Sequence, residues 1–254
     1  MQVFIADTET TGLVAPQACE IGWLHVQDLL ADFKNTEIDS PLAVLTEDSY
    51  FVGTYEERFR PTKPIELQAS KVTGIYMKDV LRCPSITTFE YPKSVKYMIG
   101  HNIAYDWRVF GQPEVKLICT KELAQLVFPK ANGLKNHKLT TLVEWLFPEE
   151  GATLVANAHG ALLDCKLVYL LLQKILEKLP QVETWEQLAS LCSQGKKGAE
   201  VEGKPLEEMK TLPFGKHKGK KFSEVPKDYL QWLQKQDNLS PPLEAAIKLA
   251  LTTP

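Results

Sequence analysis

Two carboxylates one residue apart, Asp7 and Glu9, close an apolar run that begins at Val3. Val3, Phe4, Ile5 and Ala6 have the character of a buried strand, where an unpaired charge is costly. Strand side chains repeat every second residue, so Asp7 and Glu9 point to one face. Two anions placed like this repel unless a cation lies between them or water surrounds both. Two further acids stand at comparable places in the chain. Asp106 follows a short apolar run ending near His101, and Asp164 closes "HGALLD", which opens on His159. Clustered, the four carboxylates would raise one another's pKa unless cations neutralised them. Oxygen-only ligands favour Mg²⁺ or Mn²⁺ over zinc. A histidine serves differently, because its near-neutral pKa suits it to take a proton from an attacking water. These residue types match two-metal hydrolysis of a phosphodiester, with His159 as candidate base.

The elements that must position them can be read from periodicity and punctuation. Residues 3–6, 19–26 and 50–59 read as strands, with the polar stretch 27–49 as an extended hairpin or insertion. Residues 65–75 look like a short helix stopped at Gly74. A strand over 96–102 leads into a helix that carries Asp106 and closes at Gly111. Residues 117–119 form a brief strand, 121–128 a helix stopped by Pro129, and 139–147 a helix stopped by Pro148. From 160 to 179 the apolar residues Leu163, Leu167, Val168, Leu171 and Ile175 mark one long amphipathic helix. Strands alternating with helices after an initial meander predict a mixed α/β sheet. All four acids fall at element ends, where sheet-based folds gather their sites.

The chain has 254 residues, 44% hydrophobic and 24% charged, enough for a substantial core. With 29 basic and 32 acidic residues the net charge is -3, so any nucleic-acid surface must be a local patch. Five scattered cysteines (Cys19, Cys83, Cys119, Cys165 and Cys192) contain no C-x-x-C pair and read as reduced, buried thiols. No secretory leader pattern precedes Asp7 and no apolar run approaches a membrane span, so the expected location is cytoplasmic. The first domain is expected over 1–179 and a connecting segment over 180–209, including the polar, glycine- and lysine-rich 192–205. A small basic and aromatic module follows over 210–254, where Lys216, Lys218, Lys220 and Lys221 stand beside Phe214 and Phe222.

The motifs "DTETTGL", "HNIAYD" and "HGALLD" together resemble, in order and spacing, the three motifs of the DEDDh 3′–5′ exonucleases, over about residues 1–179. "ICTKELAQLVFP" and "KLTTL" are similar to segments between the second and third of these motifs. The tail "PFGKHKGKKFSEVPKDYLQWL" resembles that of the bacterial exonuclease X subgroup. The resemblance implies a ribonuclease H-like fold, two Mg²⁺ ions replaceable by Mn²⁺, and release of nucleoside monophosphates from a 3′ end. Asp7 would bridge both ions, Glu9 and Asp164 would complete the inner site, and Asp106 would hold an ion through water. His159 would deprotonate the attacking water. Thr10 and Asn102 would contact substrate, and Leu13 would pack against the terminal base. One departure is "KVTGI", where relatives often carry a histidine at the position of Thr73. The implied partners are DNA 3′ ends, single- or double-stranded, in repair or recombination, with RNA as the alternative substrate. No membrane or protein partner is implied.

Plainer readings compete with several of these assignments. Asn102 suits an N-cap for the Asp106 helix as well as a substrate contact. Leu13 could fill the core. His101 and His137 are expected at the surface or in turns. "QLVFP" (125–129) looks like a sliding-clamp peptide, but Leu126 and Val127 continue a helical apolar pattern and are expected in the core. The four lysines are either a solvated turn or a surface that tracks a nucleic-acid backbone, with Phe214 and Phe222 as stacking platforms. Two other classes are a non-catalytic binder that kept the fold and a proofreading subunit docked to a polymerase. Retention of all four acids and the histidine argues against the first. No convincing docking peptide supports the second.

Overall fold

A computed structural model describes residues 2–130, 133–156, 159–192, 211–212, 216–217, 219–234 and 247–251. Contacts divide the chain into one unit of Met1–Gly12 with Pro16–Ala199 and another of Leu13–Ala15 with Glu200–Pro254. The first unit is built on a five-stranded mixed sheet in the order β3-β2-β1-β4-β5. Its strands are β1 (Gln2–Thr10), β2 (Ala18–Val26), β3 (Gly53–Arg58), β4 (Val95–Gly100) and β5 (Lys116–Cys119). The meander β1-β2-β3 is antiparallel, whereas β4 runs parallel to β1, and β5 parallel to β4. β1 is central and covered on both faces, which is why Val3 to Ala6 reads as a continuous apolar run. β3 is an edge strand and alternates between half-buried and exposed positions.

Around the sheet lie α1 (Leu30–Lys34), α2 (Pro41–Thr46), α3 (Leu67–Thr73), α4 (Met77–Val80), α5 (Ala104–Val109), α6 (Thr120–Val127), α7 (Leu139–Leu146), α8 (Gly151–Val155) and α9 (Ala161–Glu177). α9 packs against β1 and β2 and is covered by α2, α6 and α7. Every residue from Cys165 to Leu172 in it is buried, so the helix is enclosed nearly all round rather than amphipathic. Its one buried lysine, Lys166, is neutralised by Asp48 at 2.9 Å and donates to the Leu45 carbonyl at 3.0 Å.

The segment 27–49 carries two short helices, α1 and α2, and forms no hairpin. Ser40 caps α2 by accepting the Ala43 N–H at 3.1 Å, and Pro41 takes the first helical position, where its missing N–H is harmless. The connecting segment expected from residue 180 also changes character. A further helix, α10 (185–192), buries Trp185, Leu188, Ala189 and Cys192 in the main core, so the first unit continues past Leu179. Residues 193–205 of the expected linker lie outside the described residues. In α6, Leu123 and Ala124 face inward and Phe128 beyond them is buried, but Leu126 is 61% exposed and is no core residue.

The second unit has its own small core of Leu212, Phe222, Val225, Leu230, Leu233 and Ile247, with α11 (Lys227–Gln234) as its main helix. Phe222 is buried there and cannot serve as a stacking platform. Lys216, Lys220 and Lys221 are exposed, while Phe214 and Lys218 lie outside the described residues. None of the five cysteines is in a disulfide, and four of them are buried. Among the described residues no helix is long and apolar enough to cross a membrane.

Candidate active site

Asp7 and Glu9 end the central strand, Asp106 lies in the first turn of α5, and Asp164 in the first turn of α9. The parallel pairing of β4 with β1 carries α5 to the C-terminal end of β1. α9 reaches the same end because its first turn rests on β2. Gly22 allows that approach, since a Cβ there would fall 2.4 Å from the Leu162 nitrogen. Atoms of Glu9, His159 and Asp164 that could ligate a metal all lie within 4.8 Å of one another.

The acids lie close enough to shift one another's charge. Burial and the neighbouring carboxylates Asp106, Asp164, Glu9 and Glu20 push the Asp7 carboxyl well above its ordinary value. Burial, then Asp164, Glu20 and Asp106, raise Glu9 to about 8. Asp106 rises to about 7, chiefly through burial, although Thr8 opposes the shift by donating its N–H at 3.1 Å and its hydroxyl at 2.7 Å to Oδ1. Asp164 is raised by burial and pulled back by the His159 N–H, which donates to Oδ1 at 3.2 Å. Arg58 is bonded to Glu20 rather than to any of the four acids. Carboxylates brought together against their own repulsion fit a divalent cation that takes oxygen ligands.

His159 has φ of 83°, a left-handed backbone that is uncommon for a residue with a side chain. Such backbone strain clusters at functional sites. His101 stands half-buried in the turn before α5, as expected, whereas His137 is buried rather than at the surface or in a turn. His101 Nε2 donates to the His137 carbonyl at 2.8 Å, His137 bonds the Phe128 carbonyl at 2.7 Å, and burial lowers His101 to about 4.

The candidate substrate residues fare differently. Asn102 does not cap α5. The N-cap is Ile103, and Asn102 instead adopts φ of 74°, which asparagine tolerates. Thr10 is buried, and its hydroxyl bonds the Gly12 carbonyl at 3.2 Å and the Tyr105 hydroxyl at 2.6 Å. Leu13, just after the turn at Gly12, is 70% exposed, so it does not fill a core.

Three residues join the site that motif spacing does not point to. Thr8 steadies Asp106, and the Tyr105 hydroxyl ties Thr10 to the Gly12 carbonyl, which it meets at 2.9 Å. Glu20, 4% exposed, binds Arg58 and the N-terminus of α9. Its one sequence signal is a lone charge inside the apolar run of β2, where burial without partners would be prohibitive.

The mixed sheet with its flanking helices matches the fold of solved exonucleases, and the acids gathered at its end are those of the three motifs. In sequence the chain is similar to exodeoxyribonuclease 10 of Escherichia coli (strain K12), 28% identical over 208 residues that cover 79% of this chain and 86% of that protein. In structure it is similar to exonuclease X solved in complex with 5′-overhanging duplex DNA, with TM-score 0.53 and 23% identity over 75% of this chain and 99% of that one. E. coli exonuclease I, solved in a complex with single-stranded DNA, shares the fold at TM-score 0.51 and 13% identity, over 70% of this chain and 41% of that one. Residues 205–252 match a family model described as "Putative quorum-sensing-regulated virulence factor".

Proposed function

We propose that this chain is a metal-dependent 3′–5′ exonuclease that hydrolyses the terminal phosphodiester of DNA and releases nucleoside monophosphates. The observation that carries the reading is the meeting of Asp7, Glu9, Asp106 and Asp164 from three elements, with His159 beside Glu9 and Asp164. The similarity to exodeoxyribonuclease 10, and the duplex DNA held by exonuclease X, support DNA as the substrate. Asp7, Glu9 and Asp164 would hold two Mg²⁺ or Mn²⁺ ions, with Asp106, fixed by Thr8, completing the set. When bound, the ions supply positive charge to the attacking and leaving oxygens. His159 takes the proton from the attacking water, while the exposed Leu13 meets the terminal base and Asn102 the strand beside it. The lysines of the second unit, Lys216, Lys218, Lys220 and Lys221, tether the strand through its phosphates. Cysteines outside any disulfide fit work in a reducing cytoplasm.

Digestion of 5′-labelled single- and double-stranded DNA and RNA oligomers with Mg²⁺ tests this. Progressive shortening of DNA from the 3′ end, stopped by a chelator, is the expected result. Faster shortening of RNA would move the substrate to the ribonuclease alternative. No nucleotide release with either Mg²⁺ or Mn²⁺ would end the reading.

A further inference from the structure

The first N–H groups of a helix have no partners within it and need an outside acceptor. α9 begins after Gly160, which has no side chain to offer. The Ala161 N–H is instead satisfied by Glu20 Oε1 at 3.1 Å, from a strand 141 residues earlier in the chain. The other Glu20 oxygen accepts from Arg58 Nε at 2.7 Å. In the β1–β2 register Glu20 stands opposite Glu9, and Gly22, on which α9 rests, stands opposite Asp7. The seat of α9 on β2 and the acids on β1 therefore lie in the same two rows of the sheet.

A fifth acid here works against the cluster, since Glu20 adds to the repulsion felt by Asp7 and Glu9. An apolar side chain would suit a buried strand position and spare that repulsion. What it could not do is accept a helix N–H, where a carboxylate also meets the favourable end of the helix dipole.

We propose that Glu20 is a positioning residue: from β2 it caps the N-terminus of α9, and so sets where Asp164 and His159 stand relative to Asp7 and Glu9, with Arg58 orienting its carboxylate. This deepens the exonuclease reading, on which it rests for the reaction but not for ion binding.

The test is Mn²⁺ binding, followed by electron paramagnetic resonance, in the full-length wild type and in Glu20→Gln, Glu20→Asp and Glu20→Ala. Gln keeps an acceptor at the same reach but loses the charge. Asp keeps the charge but is one methylene too short for Ala161. Residues that orient metal ligands typically cost about 10–100-fold in affinity when removed, so Asp and Ala should fall in that range and Gln well short of it. On labelled DNA, kcat should fall in the same order, with KM little changed. If Ala fails to fold, the Gln and Asp pair still decides. Wild-type affinity in Asp with a loss in Gln would make charge, not capping, the requirement and overturn the proposal. Equal affinity in all four proteins would overturn it too. Ion binding is read without nucleic acid, so an inactive wild type would sink the exonuclease reading and leave this test standing.

Discussion

Stripped of divalent cations, the protein should lose stability as pH rises from about 5 to about 8, a window framed by the ordinary and raised carboxylate values. Asp7, Glu9, Asp106 and Asp164 all hold protons more tightly in the fold than in the unfolded chain. A raised folded-state pKa means stability that is fully present below the unfolded value and lost as pH climbs through the folded one. For Glu9, a rise from 4.5 to about 8 corresponds to a cost on the order of 5 kcal/mol once the proton has left. Asp106, rising from 3.8 to about 7, gives a similar figure. The two shifts share causes and do not add, so a loss of about 5 kcal/mol is the working magnitude, against a typical total stability of about 5–15 kcal/mol. For a chain of this size that is a fall of about 10–20 °C in melting temperature. Melting curves in chelator at pH 5, 6, 7 and 8, repeated with excess Mg²⁺, provide the assay. Mg²⁺ should raise the melting temperature most at pH 8, where the ligands are ionised, and least at pH 5. Asp164→Asn should flatten the pH dependence in chelator, because the Asp164 carboxylate raises Asp7, Glu9 and Asp106 alike. A metal-free melting temperature that is level or rising across this range, with a Mg²⁺ gain independent of pH, would refute the reasoning.

His159→Ala should lower turnover by about 10²–10⁴-fold, as loss of a general base does, while His101→Ala should lower the melting temperature through its broken bond to the His137 carbonyl. Equal turnover losses would place the base elsewhere. Leu13→Ala should leave the melting temperature within the about 0.5 kcal/mol of an ordinary surface change, yet weaken handling of the 3′ end by up to about 1 kcal/mol in kcat/KM. A clear loss of stability with unchanged kinetics would contradict its placement in solvent. Changing Lys216, Lys218, Lys220 and Lys221 together to Ala should flatten the slope of log affinity against log salt by about one to three, with cleavage of saturating short oligomers retained. An unchanged slope would make the cluster an ordinary solvated turn.

Much of the site was legible before any fold was known, because its chemistry constrains local sequence. A strand brings Asp7 and Glu9 to one face by its two-residue repeat, and the punctuation of Gly111, Pro129 and Pro148 marks where helices must stop. The spacing of His159 to Asp164 is likewise local, since both belong to one helix and the residues before it. Helicity in 27–49 was also written locally, in the Ser40-Pro41 start, but the polar composition of the stretch pointed away from it. Burial was harder to read. The apolar spacing of α9 suggested one wet face, yet helices on one side and the sheet on the other enclose it, and only packing decides that. Leu126 shows the reverse, an apolar residue on a helix whose buried face is set by Leu123 and Ala124. Phe222 likewise went into the small core of its own unit rather than to a stacking surface. Glu20 shows most clearly what the chain alone withholds. Its partners, Arg58 and Ala161, lie 38 and 141 residues away, and no local repeat relates them. Sequence determined which groups could do the chemistry, because residue type and short-range geometry suffice for that. Tertiary structure decided what holds those groups in place, because a buried carboxylate is tolerable only where distant donors meet it.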